Sequence, residues 1–121
     1  MKAKFKIRVV RPLDDNYSAL SNMNVEKEEQ RPADGVAVVH FAESVPMSTY
    51  LACFIVSDFV HKQDTVDAKG IGKDVVLRVF ANQAQLNKTE FALGAGKALT
   101  EYYIDYFKTE YPLPKLGEMT L

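Results

Sequence analysis

The chain has one cysteine, Cys53, no tryptophan, and two histidines among 121 residues. A single cysteine excludes an internal disulfide framework. Cys53 lies in the apolar run Tyr50-Leu51-Ala52-Cys53-Phe54-Ile55-Val56, with no basic neighbour in sequence to hold a thiolate. It is expected to be a small buried hydrophobe, not a nucleophile. The histidines, His40 and His61, stand 21 positions apart. They do not form the pair of a His-Glu-x-x-His helix, where two imidazoles one turn apart share a face and the Glu polarises metal-bound water. Neither sign of charge is in excess: 15 basic residues face 16 acidic ones, a net charge of -1. Nucleic-acid binding would need a basic stripe, and none is visible. Long apolar runs are also lacking. The stretch near Leu51 to Val56 is too short for a membrane span, and Met1-Lys2-Ala3-Lys4-Phe5-Lys6 alternates where a signal peptide would lead into an apolar segment.

Other chemistry-bearing patterns are missing. Gly94-Ala95-Gly96-Lys97 lacks the spacing of a phosphate loop and falls inside a helical pattern, where close packing against a neighbour explains the glycines better. There is no Gly-x-Ser-x-Gly elbow for a serine nucleophile. The carboxylate pairs Asp14-Asp15 and Glu28-Glu29 sit in turn-like, solvated contexts that would not shift a pKa for acid/base work. The residues therefore offer no candidate catalytic, cofactor-binding or metal site. Two Asn-x-Ser/Thr triplets, Asn16-Tyr17-Ser18 and Asn87-Lys88-Thr89, would serve as glycan acceptors in a secreted parent.

What is present is a soluble-type composition, 47% hydrophobic with seven Phe and six Tyr, on a chain long enough for one domain and one modest core. Ala3, Phe5, Ile7 and Val9 alternate with Lys4, Lys6 and Arg8, the period of a half-buried strand. Turn chemistry at Pro12 and Asp14-Asp15-Asn16 stops it. Further strands are expected at Tyr17 to Met23 and Val36 to Ala42, with a polar loop from Asn24 to Asp34 between them. Ser48 to Val60 reads as one long strand buried on both faces in its middle. Asp67 to Lys73, with Gly70 and Gly72, reads as a hairpin connection before a fifth strand, Val75 to Phe80. The period then changes: Phe91, Ala95, Ala98, Leu99, Tyr102, Tyr106 and Phe107 recur at steps of three and four, marking an amphipathic helix. Asn87 with Glu90 resembles its cap, and Pro112 and Pro114 end it. The expected fold class is mainly β with one long C-terminal helix. One helix covers only one face of a sheet, so the chain is expected to need a partner surface that it does not contain.

Three stretches carry a resemblance: Ala19-Leu20-Ser21-Asn22-Met23, Pro46 through Phe59 with Met47-Ser48-Thr49-Tyr50-Leu51 at its head, and Tyr111-Pro112-Leu113-Pro114-Lys115-Leu116. In this order and spacing they resemble the zinc aminopeptidases of the aminopeptidase N and puromycin-sensitive type. The resemblance implies that residues 1–116 are the latter part of an N-terminal β domain, of β-sandwich or saddle-like form, and that 117–121 are a divergent tail. It also implies a parent enzyme that removes N-terminal amino acids from peptides with a zinc-bound water, its zinc motif and amine-gripping segment lying outside this chain. Both ends depart from the family pattern, which suggests an internal methionine used as a start and a truncated product, alternative exon or incomplete gene. On this reading the chain is inactive alone, holds no cofactor, takes no peptide substrate, and has the remaining domains of its parent as partners. The alternative is a stand-alone relative acting as a protein-binding module through its open β face. A small-molecule carrier is disfavoured, since five strands do not close an eight-stranded barrel. The family has cytosolic, membrane-anchored and secreted members, and the Cys53 motif and the two triplets lean toward the cell surface.

Overall fold

The computed structural model describes residues 1–119. The architecture is mainly β with one long helix, as expected. The chain divides into two compact units, Met1–Asp58 and Phe59–Leu121, and each has its own cluster of buried side chains where a single core was expected.

In the first unit, β1 (Arg8–Pro12), β4 (Val36–Phe41) and β3 (Val25–Arg31) form an antiparallel sheet in the order β1-β4-β3. Regular pairing begins at Arg8. The alternating residues before it continue the contact in broken form, with Ala3 and Met47 exchanging backbone hydrogen bonds of 3.0 and 2.9 Å. Val9, Val39 and Phe41 carry the core with Ala19, and Ile7 and Met23 pack against it. Period-two alternation also turns Arg11 inward, where it is only 9% exposed. Its guanidinium is satisfied by donating to the Pro12 carbonyl at 2.8 Å, the Asp14 carbonyl at 3.1 Å and Glu28 Oε1 at 2.5 Å. A buried charge stays charged only with such partners.

The expected loop from Asn24 to Asp34 is instead largely strand β3. Its residues, Val-Glu-Lys-Glu-Glu-Gln-Arg, are almost all exposed. They give no apolar alternation, because β3 is an edge strand held by the main-chain ladder to β4. Charged side chains along such an edge discourage further strand pairing.

The expected long strand from Ser48 to Val60 is also corrected. Thr49–Leu51 is a 3-10 turn, and only Phe54–Ser57 is strand β5, paired antiparallel with β2 (Ser18–Ser21). Burial on both faces is overturned as well: Phe54 is 69% exposed and Tyr50 85%. Apolar content indicates a capacity for burial, not burial itself.

In the second unit, β6 (Val60–Val66), β7 (Val75–Ala81) and β8 (Lys115–Met119) form a sheet in the order β6-β7-β8. The β6–β7 connection is the expected hairpin. Gly70 and Gly72 supply its left-handed backbone at φ 78° and 82°, and Asp74 Oδ1 accepts the Ala68 N–H at 3.0 Å. β8 runs parallel to β7, so the helix between them is a crossover of the kind that parallel strands require. β8 escaped the sequence reading because Lys-Leu-Gly-Glu-Met has neither β-branched residues nor alternation.

Helix α1 spans Thr89–Phe107 and follows a 3-10 run, Gln83–Lys88. Asn87 is not its cap. The N-cap position of α1 is Lys88, which makes no side-chain cap; the capping side chain is that of the preceding 3-10 run, Asn82, whose Oδ1 accepts the Gln85 N–H at 2.9 Å, and Glu90 pairs instead with Lys62 of β6 at 2.5 Å. The 3-10 run joins the helix without a break, so the chain-entry signal lies one element earlier.

The face that α1 presents to the sheet is not the apolar stripe that the sequence displays. Thr89, Gly96 and Ile104 are its buried residues, and Leu93 packs against the same cluster. These positions share one face at steps of three, four and eight. Gly96 is required by close approach, since a Cβ there would lie 3.1 Å from Leu77 Cδ2 and 2.8 Å from Glu118 Oε1. Gly94 has open space where its Cβ would be. Gly94→Ala is therefore expected to stabilise the second unit by about 0.5–1 kcal/mol through helix propensity. Gly96→Val should destabilise it by about 1–3 kcal/mol through overpacking. Urea denaturation of the two variants checks both signs, and equal shifts would contradict the packing described.

Candidate functional site

With Thr89, Leu93, Gly96 and Ile104 facing the sheet, the aromatic side chains of α1 point outward. Phe91 is 86% exposed, and Leu99, Tyr102, Tyr106 and Phe107 are each more than half exposed. Along the last two turns, helical spacing brings four rings together. Tyr102 stacks on Tyr106 with centroids 5.7 Å apart, and Tyr103 on Phe107 at 5.8 Å. Edge contacts at 5.5 Å (Tyr102–Tyr103) and 5.0 Å (Tyr106–Phe107) tie the two columns into one patch. Beside the patch opens an apolar groove of about 290 Å³, walled by Tyr103, Ile104, Phe107, Tyr111, Pro112 and Leu116. Burial pushes the Tyr111 phenol above its ordinary range. A contiguous apolar surface rich in tyrosine and phenylalanine has the composition of an interface core.

The titratable groups are occupied structurally. Glu29 is held below the usual carboxylate range by hydrogen bonding and charge from Lys27, Glu90 by Lys62, and Asp105 by Lys108. Asp64 is lowered by the Thr65 backbone N–H and then by Lys97. His61 packs its ring against Phe80 at 5.0 Å. Its pKa is lowered, first by burial and then by the Arg78 charge. His40 is half-buried, with Nε2 3.6 Å from Glu29 Oε1. Among the described residues no three His, Cys, Asp or Glu side chains come together to hold a metal ion. His40 and His61 fall in different units, and His40 has one carboxylate beside it. This donor set does not fit a zinc centre.

Cys53 is exposed, contrary to expectation. Its backbone is pinned, the N–H donating to Asn22 Oδ1 at 3.0 Å and the carbonyl accepting from Ser21 Oγ at 2.7 Å. Of the apolar run, Tyr50 and Leu51 thus lie in the 3-10 turn and Phe54 to Val56 in a short two-stranded ribbon on which Phe54 is exposed. Gly94-Ala95-Gly96-Lys97 lies inside α1, as expected, but only Gly96 serves close packing, Gly94 facing open space. Asp14 Oδ1 caps its own turn by accepting from Asn16, and Glu28 answers Arg11. Sequence reasoning did not single out Tyr103 and the groove. Tyr103 lies off the stripe it traced, and the Tyr-Pro-Leu-Pro segment was noted only as a motif. Among the described residues no helix is long and apolar enough to cross a membrane.

Known proteins similar in sequence to this chain are aminopeptidases. The family described as Peptidase M1 N-terminal domain matches residues 1–51. Glutamyl aminopeptidase of Rattus norvegicus is 42% identical over 120 residues, covering 99% of this chain and 12% of that protein. Endoplasmic reticulum aminopeptidase 1 of Homo sapiens is 40% identical over 114 residues, covering 94% of this chain and 11% of that protein. Aminopeptidase A of Gloydius brevicauda is 35% identical over 120 residues, again 99% and 12%. The chain thus spans about 12% of the length of the relatives it matches. With its three motifs in order, a β-rich fold of the β-sandwich N-terminal class and these matches along nearly its whole length, the chain belongs to the M1 aminopeptidase family.

Proposed function

We propose that the chain is a non-catalytic portion of a zinc metalloaminopeptidase that removes N-terminal amino acids from peptides. Residues 1–116 would be the latter part of its N-terminal β domain and 117–121 a tail divergent in sequence, of which Gly117 to Met119 continue β8. Zinc and the peptide would be held by the remaining domains. The observation that carries this reading is the alignment over 99% of this chain with 12% of each of two relatives. The exposed aromatic face of α1 supports it, as a surface whose partner is the rest of the enzyme. We further place the parent in the secretory pathway or at the cell surface. One relative is named for the endoplasmic reticulum, and two glycan-acceptor triplets are present.

The test has two arms. The pure chain, supplied with zinc, should release nothing above buffer from a panel of amino-acid 4-nitroanilides. The same chain, exchanged for the matching segment of glutamyl aminopeptidase, should restore release to an enzyme from which that segment has been deleted. Zinc-dependent turnover by the chain alone would overturn the non-catalytic reading. A folded but inactive chimera would overturn the role as enzyme portion and favour a stand-alone binding module.

A further inference from the structure

We infer that Asn16 is an N-glycan acceptor, an inference that rests on the secretory placement proposed above. Asn16 opens the triplet Asn16-Tyr17-Ser18, in which neither the middle residue nor the following Ala19 is proline. It sits in the turn between β1 and β2, closed by the Tyr17 N–H donating to the Asp14 carbonyl at 3.0 Å. The side chain is exposed. Its Nδ2 donates to Asp14 Oδ1 at 2.8 Å, and the Asn16 backbone N–H donates to the same oxygen at 2.9 Å. An acceptor asparagine belongs in a surface loop, because the sugar is bulky and must remain in water.

The chemistry is compatible with this geometry. Nδ2 attacks the anomeric carbon of a polyprenyl-diphosphate-linked oligosaccharide. An N–C bond forms, the carbon–oxygen bond to diphosphate breaks, the diphosphate leaves with its electron pair, and Nδ2 gives up one proton. The product is a secondary amide that keeps its second N–H, so the bond to Asp14 survives and the turn need not change. The other triplet offers a poorer setting. Asn87 is exposed but lies in the 3-10 run leading into α1, and Thr89 is 1% exposed with its hydroxyl donating to the Leu86 carbonyl at 2.6 Å.

The experiment is to express the full chain behind a cleavable leader peptide in a eukaryotic cell and treat the lysate with peptide-N-glycosidase. Peptide mass spectrometry then reads the conversion of Asn16 to Asp. Asn16 is exposed in its turn and Ser18→Ala removes a single hydroxyl, so Asn16→Gln and Ser18→Ala are both expected to fold as the parent chain does. Conversion at Asn16 is expected, abolished in Asn16→Gln and Ser18→Ala and unchanged in Asn87→Gln. No conversion at Asn16 with the leader present would overturn the inference and leave the secretory placement standing. Conversion with the leader, but none in protein from the native source, would overturn the placement and with it the inference for this protein.

Discussion

Phe41→Ala is expected to destabilise the first unit by about 3–5 kcal/mol, among the largest losses available to a single substitution in this chain. Phe41 is 1% exposed at the end of the central strand β4, and Val9, Val39 and Ala19 share its cluster. β4 pairs with both β1 and β3, so a cavity there loosens a strand on which two ladders depend. A small unit of this kind has a total stability of only several kcal/mol, so the variant should be largely unfolded at 25 °C. Amide hydrogen exchange of β1, β3 and β4 is the measurement. Retained protection in all three strands would show that Phe41 is not the keystone its burial implies.

Leu77→Ala should be nearly as damaging to the second unit, at about 2–5 kcal/mol. Leu77 is 0% exposed in β7, the central strand of its sheet, and clusters with Val66, Val75 and Ile104. It also abuts Gly96, where an added Cβ would come within 3.1 Å of its Cδ2. Truncating Leu77 frees that space. Gly96→Ala should therefore be better tolerated, relative to its own background, in Leu77→Ala than in the parent chain, since contacting residues do not contribute additively. Thermal melts of the two single variants and the double variant close this cycle. Strict additivity would mean that helix and strand do not meet at Gly96 as described.

Parts of this fold were legible in the residues because local chemistry decided them. The Gly70 and Gly72 hairpin needs left-handed backbone, which glycine adopts without a Cβ penalty. The apolar, β-branched Val75 to Phe80 forms a strand in the middle of a sheet. The helix was announced by its period, and the family by three motifs. Other parts were hidden because the deciding partner is far away in sequence. β3 is a strand only because β4 presents a free ladder edge to seven mostly charged residues. β8 is one only because β7 does the same on the other side. The expected helix cap at Asn87 is absent because a 3-10 run, itself capped by Asn82, leads into the helix, which periodicity does not reveal.

The helix marks the boundary between the two kinds of information. By itself the sequence determined that the stretch from Phe91 to Phe107 would be helical and amphipathic, because side-chain spacing sets the faces of a helix whatever surrounds it. It also determined the family, and with it the expectation of an enzyme whose chemistry lies elsewhere. Which face of α1 meets the sheet was decided only by the tertiary structure. The surface of β6 and β7 accepts a close-packed line of Thr89, Gly96 and Ile104 and leaves Tyr102, Tyr106 and Phe107 in water. Burial favours the face that brings helix and sheet into dense contact, and here that is the face on which Gly96 lets the helix approach while Leu93 and Ile104 fill the cluster.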